Sequence, residues 1–286
     1  MGPGKVTIDI TAKPRRTAVI AGSGLLPELL AGALHNPFVI GLSDDCGSWL
    51  EKHDHTRIEI TRLGSIFSAL RGAKVDTLLL AGGVKIRPRF SSFRLDWTTI
   101  KLLPTLFRAL RKGDDGLLRA VISWFERNGF KVVGAHEILP DLLTPYDCVT
   151  KRGPSQQDEI SIAYGISAAL ELGAKDIGQA AVAKNDSILA LEQADGTAAM
   201  LRRLAVASST DDNLIGGVLV KFAKPGQDLR VDLPSIGPDT VDQAHAAGLA
   251  GVVVEAGCSL ILDKKEVIRR ANALGLFILG RKRTIA

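Results

Sequence analysis

The amino-acid sequence predicts an α/β protein of two domains. Short apolar segments alternate with helical segments from residue 17 to residue 80, which is typical of a parallel sheet with right-handed crossovers. A run containing prolines and glycines from residue 140 to residue 154 has no periodicity and is the predicted interdomain linker. The 286 residues, 46% of them hydrophobic and 23% charged, suit one large or two ordinary globular domains.

The predicted elements follow in chain order. We expect a tail at 1–15, an N-terminal domain at 16–140, the linker at 141–156 and a C-terminal domain at 157–286. Strands are predicted at short apolar segments, namely 17–21, 38–42, 77–80, 130–133, 180–183, 188–191, 218–220, 251–254 and 276–279. Helices are predicted from apolar stripes and capping residues, from about Leu26, at 66–71, 99–111, 114–128, 158–172 and 198–205, near Pro238, and at 263–274. The strands at 180–183 and 188–191 form a predicted hairpin.

Charge and cysteine usage exclude several classes of protein. The net charge of +5 comes partly from short basic clusters, Lys13/Arg15/Arg16, Arg108/Arg111/Lys112 and Arg281/Lys282/Arg283. No nucleic-acid partner is expected, because aromatic residues are only 5% of the chain and are not interleaved with the basic ones. Three distant cysteines exclude a fully paired disulfide set and a Cys-x-x-Cys zinc site. Without a signal peptide or a spanning run of about 18–20 apolar residues, we expect a cytoplasmic protein.

Glycines follow two strands of the predicted parallel sheet. Gly22, Ser23 and Gly24 come after the first strand, and Gly82 and Gly83 come after the strand at 77–80. The dinucleotide-binding fingerprint requires a third glycine, but this chain has Pro27 in the helix that follows, and Asp44 is an uncertain match for the acidic residue. We therefore predict an anion site at the helix N-terminus rather than an NAD site.

A charged loop between Pro225 and Pro234 is the strongest candidate for chemistry. It follows the strand at 218–220 and holds the polar residues Gln227, Asp228, Arg230 and Asp232, with Lys224 just before it. Prolines fix φ, so the loop is predicted to be stiff. Together with Glu192 and Gln179, these oxygen donors and cations suit magnesium and phosphate. A solvated loop whose charges pair with one another is the alternative.

Other candidate groups carry less chemical information. Asp114 and Asp115 are explained by the start of a helix, where acids oppose the helix dipole. His53 and His55 have a metal-compatible spacing but lie in a polar segment, which favours surface histidines. The pair His136–Glu137 follows a strand, although adjacent side chains point in different directions. The sequence contains no Gly-x-Ser-x-Gly elbow and no P-loop.

The chain resembles the LpxI family, the UDP-2,3-diacylglucosamine pyrophosphatases of lipid A biosynthesis. The matching motifs run through nearly the whole chain, namely IAGSGLLP at 20–27, KGDDGLLR at 112–119, GAHE at 134–137, DIGQ at 176–179, DGTAAML at 195–201, KPGQDLRVDLP at 224–234 and GLAG at 248–251. The resemblance implies an N-terminal Rossmann-like lid domain and a C-terminal catalytic domain. It also implies magnesium-dependent hydrolysis of UDP-2,3-diacylglucosamine to UMP and 2,3-diacylglucosamine 1-phosphate, with water attacking the α-phosphorus.

The resemblance assigns the catalytic role to Asp232, as a magnesium ligand and as the group that orients the attacking water. Glu192 and Asp228 are the other expected metal ligands. The residues expected to bind substrate are Gly22, Ser23, Gly24, Gly82, Gly83, Gln179, Thr197, Lys224, Gln227 and Arg230. The expected partners are the UDP-2,3-diacylglucosamine substrate and the inner-membrane surface, to which the protein would be peripheral, and a homodimer stays an open alternative.

Two further expectations concern the same resemblance. The family commonly has Glu-Gly-Thr-Asp where this chain has Asp195-Gly-Thr-Ala198, so a catalytically impaired nucleotide-sugar- or lipid-binding protein is the alternative function. The basic, leucine-rich helix at 99–112 is a candidate for membrane docking. An ordinary core-packed helix with a solvated side explains that pattern equally well.

Overall fold

The structure is a computed structural model that describes residues 16–42, 46–83 and 113–283, without the side chains of 113–115. The described residues fall into two units, one built from 16–83 and 121–133 and the other from 113–120 and 134–283. The predicted tail, Asp44, the helix at 99–111 and the basic residues 108–112 lie outside the described residues, as do the side chains of Asp114 and Asp115. The bounds of the predicted domains stay a prediction.

The first unit contains a parallel sheet of five strands in the order β3-β2-β1-β4-β5. The strands are β1 (Arg16–Ala21), β2 (Phe38–Gly41), β3 (Asp54–Arg57), β4 (Val75–Ala81) and β5 (Lys131–Val132). The helices are α1 (Leu26–Ala33), α2 (Leu63–Gly72) and residues 121–127 of α3 (Gly113–Arg127), whose earlier part belongs to the second unit, with a 3₁₀ turn at Ser48–Lys52. The predicted α/β class and parallel sheet are confirmed.

Burial explains which strands of the first unit were predictable. β1 and β4 are central, and residues such as Val19 and Leu79 are completely buried, so both strands have apolar sequences. β3 was missed because it is an edge strand whose polar side chains are mostly exposed. His55 therefore lies in a strand rather than in the polar loop that was predicted.

The second unit has a mixed sheet of five strands in the order β12-β10-β8-β6-β7. Its strands are β6 (Ala180–Lys184), β7 (Ser187–Leu191), β8 (Val218–Lys221), β10 (Gly251–Glu255) and β12 (Phe277–Arg281). β8, β10 and β12 are parallel, whereas β6 is antiparallel to both β7 and β8. The predicted hairpin is confirmed, and Asn185 in its turn has a φ of 53°.

Shorter elements and helices complete the second unit. β9 (Ser235–Ile236) and β11 (Leu260–Ile261) form a small parallel sheet whose strands were too short to predict. The helices are α4 (Ala135–Ile138), α5 (Gln156–Ala174), α6 (Thr197–Ser208), α7 (Pro238–Ala246) and α8 (Lys264–Leu274), with 3₁₀ turns at Pro140–Leu142 and Asp212–Leu214. α5 starts with a capping box in which Ser155 Oγ accepts from Asp158 N.

The segment predicted as a linker is hydrogen-bonded to the C-terminal sheet. Val149 N donates to Ile278 O at 3.0 Å, and Gly280 N donates to Asp147 O at 2.9 Å. Thr144 is buried and its hydroxyl lies 2.8 Å from Ser259 Oγ. The described part of this run is therefore packed as part of the second unit. Among the described helices, none is both long and apolar enough to cross a membrane.

Candidate functional site

The carboxyl end of β8 brings together residues that are distant in sequence. Ala180 of β6 pairs with Lys221 of β8. Because β6 and β7 are antiparallel, the residue before β6 and the residue after β7 reach the same edge of the sheet. Phe222 N accordingly donates to Gln179 O at 3.0 Å, and Glu192 N donates to Ala180 O at 2.9 Å. The loop after β8 starts at this edge.

Glu192 is a buried carboxylate at this edge, with 6% of its surface exposed. Its Oε2 accepts from Gln179 N at 2.7 Å, and its Oε1 accepts from the Thr197 hydroxyl at 2.6 Å. Thr197 is the first residue of α6, so the carboxylate also lies near a helix N-terminus. The structure therefore joins three residues that the sequence analysis had selected separately.

Asp232 is held by a glutamine of its own loop. Gln227 is buried, with 9% exposed, and its side-chain Nε2 donates to Asp232 Oδ2. The other end of the same amide, Oε1, accepts from Lys224 N at 2.9 Å. Asp232 N donates to Asp228 O at 3.2 Å, so the loop forms a helical turn between these two aspartates.

The remaining charges of the loop form ion pairs. Lys224 Nζ lies 2.6 Å from Asp176 Oδ1, which anchors the start of the loop to the turn before β6. Arg230 binds Asp228 through two nitrogens at 3.0 and 2.7 Å. This hydrogen bonding lowers the pKa of Asp228 below its ordinary value. The alternative interpretation, a loop whose charges pair with one another, thus describes Arg230 and Asp228 well.

Lys221 is a site residue that sequence reasoning missed. Its ammonium donates to Ser235 O at 3.2 Å, which ties the end of the loop to β8. Burial lowers the pKa of Lys221, and the carboxylates of Glu192 and Asp232 oppose part of that shift. Lys221 is therefore a cation whose pKa responds to the charges of both carboxylates. A lysine directly after the apolar residues 218–220 was the signal for it.

Glu255 and Arg283 hold the first part of the loop and were also missed. Glu255 ends β10, is 4% exposed and accepts from Ala223 N at 3.0 Å. Arg283 donates to both oxygens of Glu255 at 2.9 Å and to Ala223 O at 2.6 Å. Because a buried carboxylate is costly without partners, this pair explains why Arg283 is not simply part of an exposed basic cluster.

In the first unit, the two predicted glycine loops bind each other. Ser23 N donates to Gly83 O at 2.8 Å, and Gly83 N donates to Ser23 O at 2.9 Å. A Cβ at Gly22 would lie 2.5 Å from Gly83 O, so these backbones approach too closely for a side chain. The amides of Ser23 and Gly83 are therefore engaged within the protein, and Gly24, with a φ of +104°, is closer to the start of α1.

The Gly134–Glu137 motif is a helix cap. Glu137 Oε1 accepts from Gly134 N at 2.7 Å at the start of α4, so this carboxylate is occupied in capping the helix. Within the described ranges, three buried side-chain atoms of the second unit have no hydrogen-bond partner, namely His136 Nδ1, Gln179 Oε1 and Arg281 Nε. None of them was anticipated from the sequence.

The carboxylates present limit how a magnesium ion would be held. Among residues 16–42, 46–83 and 113–283, no group of three His, Cys, Asp or Glu side chains is arranged to hold a metal. Glu192 and Asp228 already accept hydrogen bonds on both oxygens. The carboxylate oxygens of this site fit a metal ion that takes only one or two protein carboxylates as ligands. Water and substrate oxygens would complete the coordination shell of such an ion. The predicted ligand set of Asp232, Glu192 and Asp228 stays a prediction.

The fold is α/β, and the end of β8 gathers buried carboxylates and cations, which are groups of the kind that bind magnesium and phosphate. The family model of the LpxI N-terminal domain matches residues 16–142, and that of the LpxI C-terminal domain matches residues 145–279. The chain is 41% identical over 275 residues to "UDP-2,3-diacylglucosamine pyrophosphatase LpxI" of Caulobacter vibrioides, an alignment covering 93% of this chain and 97% of that protein. The chain belongs to the LpxI family, which confirms the predicted resemblance and two-domain organisation.

Proposed function

We propose that this protein hydrolyses the pyrophosphate bond of UDP-2,3-diacylglucosamine to UMP and 2,3-diacylglucosamine 1-phosphate, with magnesium as cofactor. The enzyme class follows from the family, since the relative from Caulobacter vibrioides is named as the pyrophosphatase of this substrate. The observation that carries the proposal to particular residues is the cluster at the end of β8. There a buried glutamine holds Asp232, and the charges of Asp232 and Glu192 both act on the pKa of Lys221.

In this proposal Asp232 orients the water that attacks the α-phosphorus and contributes a ligand to magnesium. A carboxylate held by a rigid neighbour is suited to fix a small nucleophile in one direction. Magnesium, when bound, would neutralise charge on the phosphate oxygens. Lys221 is the protein's own cation at this point, and it would stabilise the negative charge that develops there.

The predicted substrate contacts enter the proposal with different degrees of support. Gln179 and Thr197 are supported by their hydrogen bonds to Glu192, at the same sheet edge as Asp232. Lys224 and Arg230 are paired with Asp176 and Asp228, so a substrate phosphate would have to share or displace those partners. In the first unit, the glycine loops at 22–24 and 82–83 are proposed to bind substrate as part of the lid domain.

The test is release of UMP from UDP-2,3-diacylglucosamine by purified protein with magnesium. We expect turnover that EDTA abolishes, and Asp232→Ala to lower kcat by about 10³-fold or more, as for removal of a central catalytic group. Asp186→Ala is the matched control, because Asp186 lies in the turn at the opposite end of β6. Wild-type activity in Asp232→Ala would contradict the assignment.

Labelled water tests the direction of attack separately. Attack on the α-phosphorus transfers ¹⁸O from water to UMP. Label in 2,3-diacylglucosamine 1-phosphate would contradict that step while leaving the overall hydrolysis intact.

The alternative function is binding without catalysis, motivated by Ala198 in the second position of α6. In this chain Thr197 bonds Glu192 without help from an acid at residue 198. Binding of UDP-2,3-diacylglucosamine with no UMP release under any metal condition would favour the alternative.

A cytoplasmic location at the inner-membrane surface also belongs to the proposal, since the proposed substrate is a lipid. Reversing the charges of Arg108 and Arg111 is expected to weaken binding to vesicles that contain anionic lipid. Unchanged vesicle binding would remove the predicted helix at 99–112 from the proposal.

A further inference from the structure

We propose that Gln227 is a positioning residue that sets the orientation of the Asp232 carboxylate, and that it does not act by contacting the substrate. This inference rests on the proposed function, in which Asp232 is the catalytic carboxylate. It changes the role expected from the sequence, where Gln227 was a substrate-binding residue.

The two ends of the Gln227 amide have different partners. Its carbonyl oxygen accepts the backbone N–H of Lys224 at 2.9 Å, and its NH₂ group donates to Asp232 Oδ2. Because only the oxygen can accept from an N–H, the Lys224 contact determines which end of the amide faces Asp232. The NH₂ group is therefore the end directed at the carboxylate.

The frame around Gln227 is fixed on both sides. Lys224 is held by its ion pair with Asp176, and its side chain is only 14% exposed. Gln227 N also donates to Lys224 O, and on the side of Asp232 the main chain is held by Asp232 N donating to Asp228 O, both at 3.2 Å. Gln227 itself is 9% exposed, so it has little room to change rotamer. A donor held in such a frame can fix the rotation of the carboxylate about its χ2 angle.

The consequence for catalysis is preorganisation. With Oδ2 held by the amide, the direction of the second oxygen, Oδ1, is set before substrate arrives. A catalytic group held within about 0.5 Å of its productive position needs such a supporting neighbour, and a displacement of about 1 Å can cost about 100-fold in rate. Loss of the Gln227 donor is therefore expected to slow the chemical step more than it weakens substrate binding.

Two substitutions separate this role from loop ordering. Gln227→Glu keeps an acceptor for Lys224 N but replaces the donor to Asp232 with a carboxylate oxygen. Gln227→Met removes both hydrogen bonds without adding charge. We expect both to lower kcat by about 10- to 100-fold while KM changes by less than about twofold. Wild-type kcat in Gln227→Glu would show that only the hydrogen bond from Lys224 N matters, and it would overturn the proposal.

A rise in KM with unchanged kcat would also overturn the proposal, because it would make Gln227 a substrate contact. Gln157→Glu and Gln157→Met are the matched controls, since Gln157 donates to Asn185 at the hairpin turn, and they should keep wild-type constants. Thermal unfolding of each variant shows whether it is folded. If Gln227→Glu does not fold, the orientation of the Asp232 carboxylate in the uncharged Gln227→Met decides.

A crystal structure of Gln227→Met makes the test independent of the proposed reaction. We expect the Asp232 carboxylate to leave the orientation that it has beside Gln227. An unmoved carboxylate would overturn the positioning role even if the enzyme is active. Conversely, absence of turnover in the wild type would remove the proposed function, while the rotated carboxylate would still establish what Gln227 does.

Discussion

The two units hold their strand-end loops by different means. In the first unit, the loops after β1 and β4 are joined main chain to main chain through Ser23 and Gly83. In the second unit, the loop after β8 is held by side chains, through the pairs Lys224–Asp176, Gln227–Asp232 and Arg283–Glu255. Adding a side chain would therefore disrupt the first arrangement, whereas truncating a side chain or changing its charge would disrupt the second.

The glycine loops offer the largest expected effect on stability. A Cβ at Gly82 would lie 2.6 Å from Ser23 O and 2.8 Å from Pro27 Cγ, and Gly82 has a φ of +88°. Gly82→Ala combines backbone strain with a steric clash and is expected to cost about 2–4 kcal/mol of unfolding free energy. Urea denaturation measures this directly.

A matched glycine sharpens that prediction. Gly32 lies in α1 and a Cβ there would meet nothing within 4 Å. Gly32→Ala is therefore expected to stabilise the protein by about 0.5–1 kcal/mol, because alanine favours a helix more than glycine does. Equal urea midpoints for the two variants would refute the close approach of the two loops.

The same contrast explains what the sequence could predict. Buried strands such as β8 and β10 could be predicted because they are runs of apolar residues, and Asp195-Gly-Thr indicates the start of α6. The polar edge strand β3 and the two-residue strands β9 and β11 gave no such pattern, since exposure and short length remove the periodic signal.

Part of the candidate site could be predicted for a similar reason. Asp232, Gln227, Asp228 and Arg230 lie within one short loop, so local sequence was enough to group them. Lys221 and Glu255 become site residues only when β6, β8 and β10 align, which depends on long-range pairing. No local pattern indicates that Gln227 would face Asp232 rather than a ligand.

Glu192 tests the side-chain arrangement, with a smaller expected effect than Gly82. Glu192→Gln places an NH₂ group against either the Gln179 N–H or the Thr197 hydroxyl, and it removes a counter-charge of Lys221. Leaving a buried donor without an acceptor is expected to cost about 1–3 kcal/mol.

The control for Glu192 is an exposed carboxylate. Glu171→Gln breaks a surface pair with Lys175 and should change the unfolding free energy by less than about 1 kcal/mol. Both variants are compared by urea denaturation and by UMP release. If Glu192→Gln were as stable as Glu171→Gln, the two hydrogen bonds would not contribute as the structure indicates.

The smallest expected effect concerns pH and the pair Arg230–Asp228. Arg230 lowers the pKa of Asp228 from its ordinary value of 3.8, so folded Asp228 releases its proton more readily than unfolded Asp228 does. The pair therefore contributes stability above about pH 4, and that contribution is lost as pH falls through the lowered pKa.

Arg230→Gln should return the pKa of Asp228 towards 3.8. NMR titration of the Asp228 carboxyl carbon measures the change, and Arg203→Gln, which breaks the Asp195 pair instead, should leave it unaltered. The stability difference between wild type and Arg230→Gln should accordingly be larger at pH 6 than at pH 3, and the reverse order would show that Asp228 is not held as an ion pair.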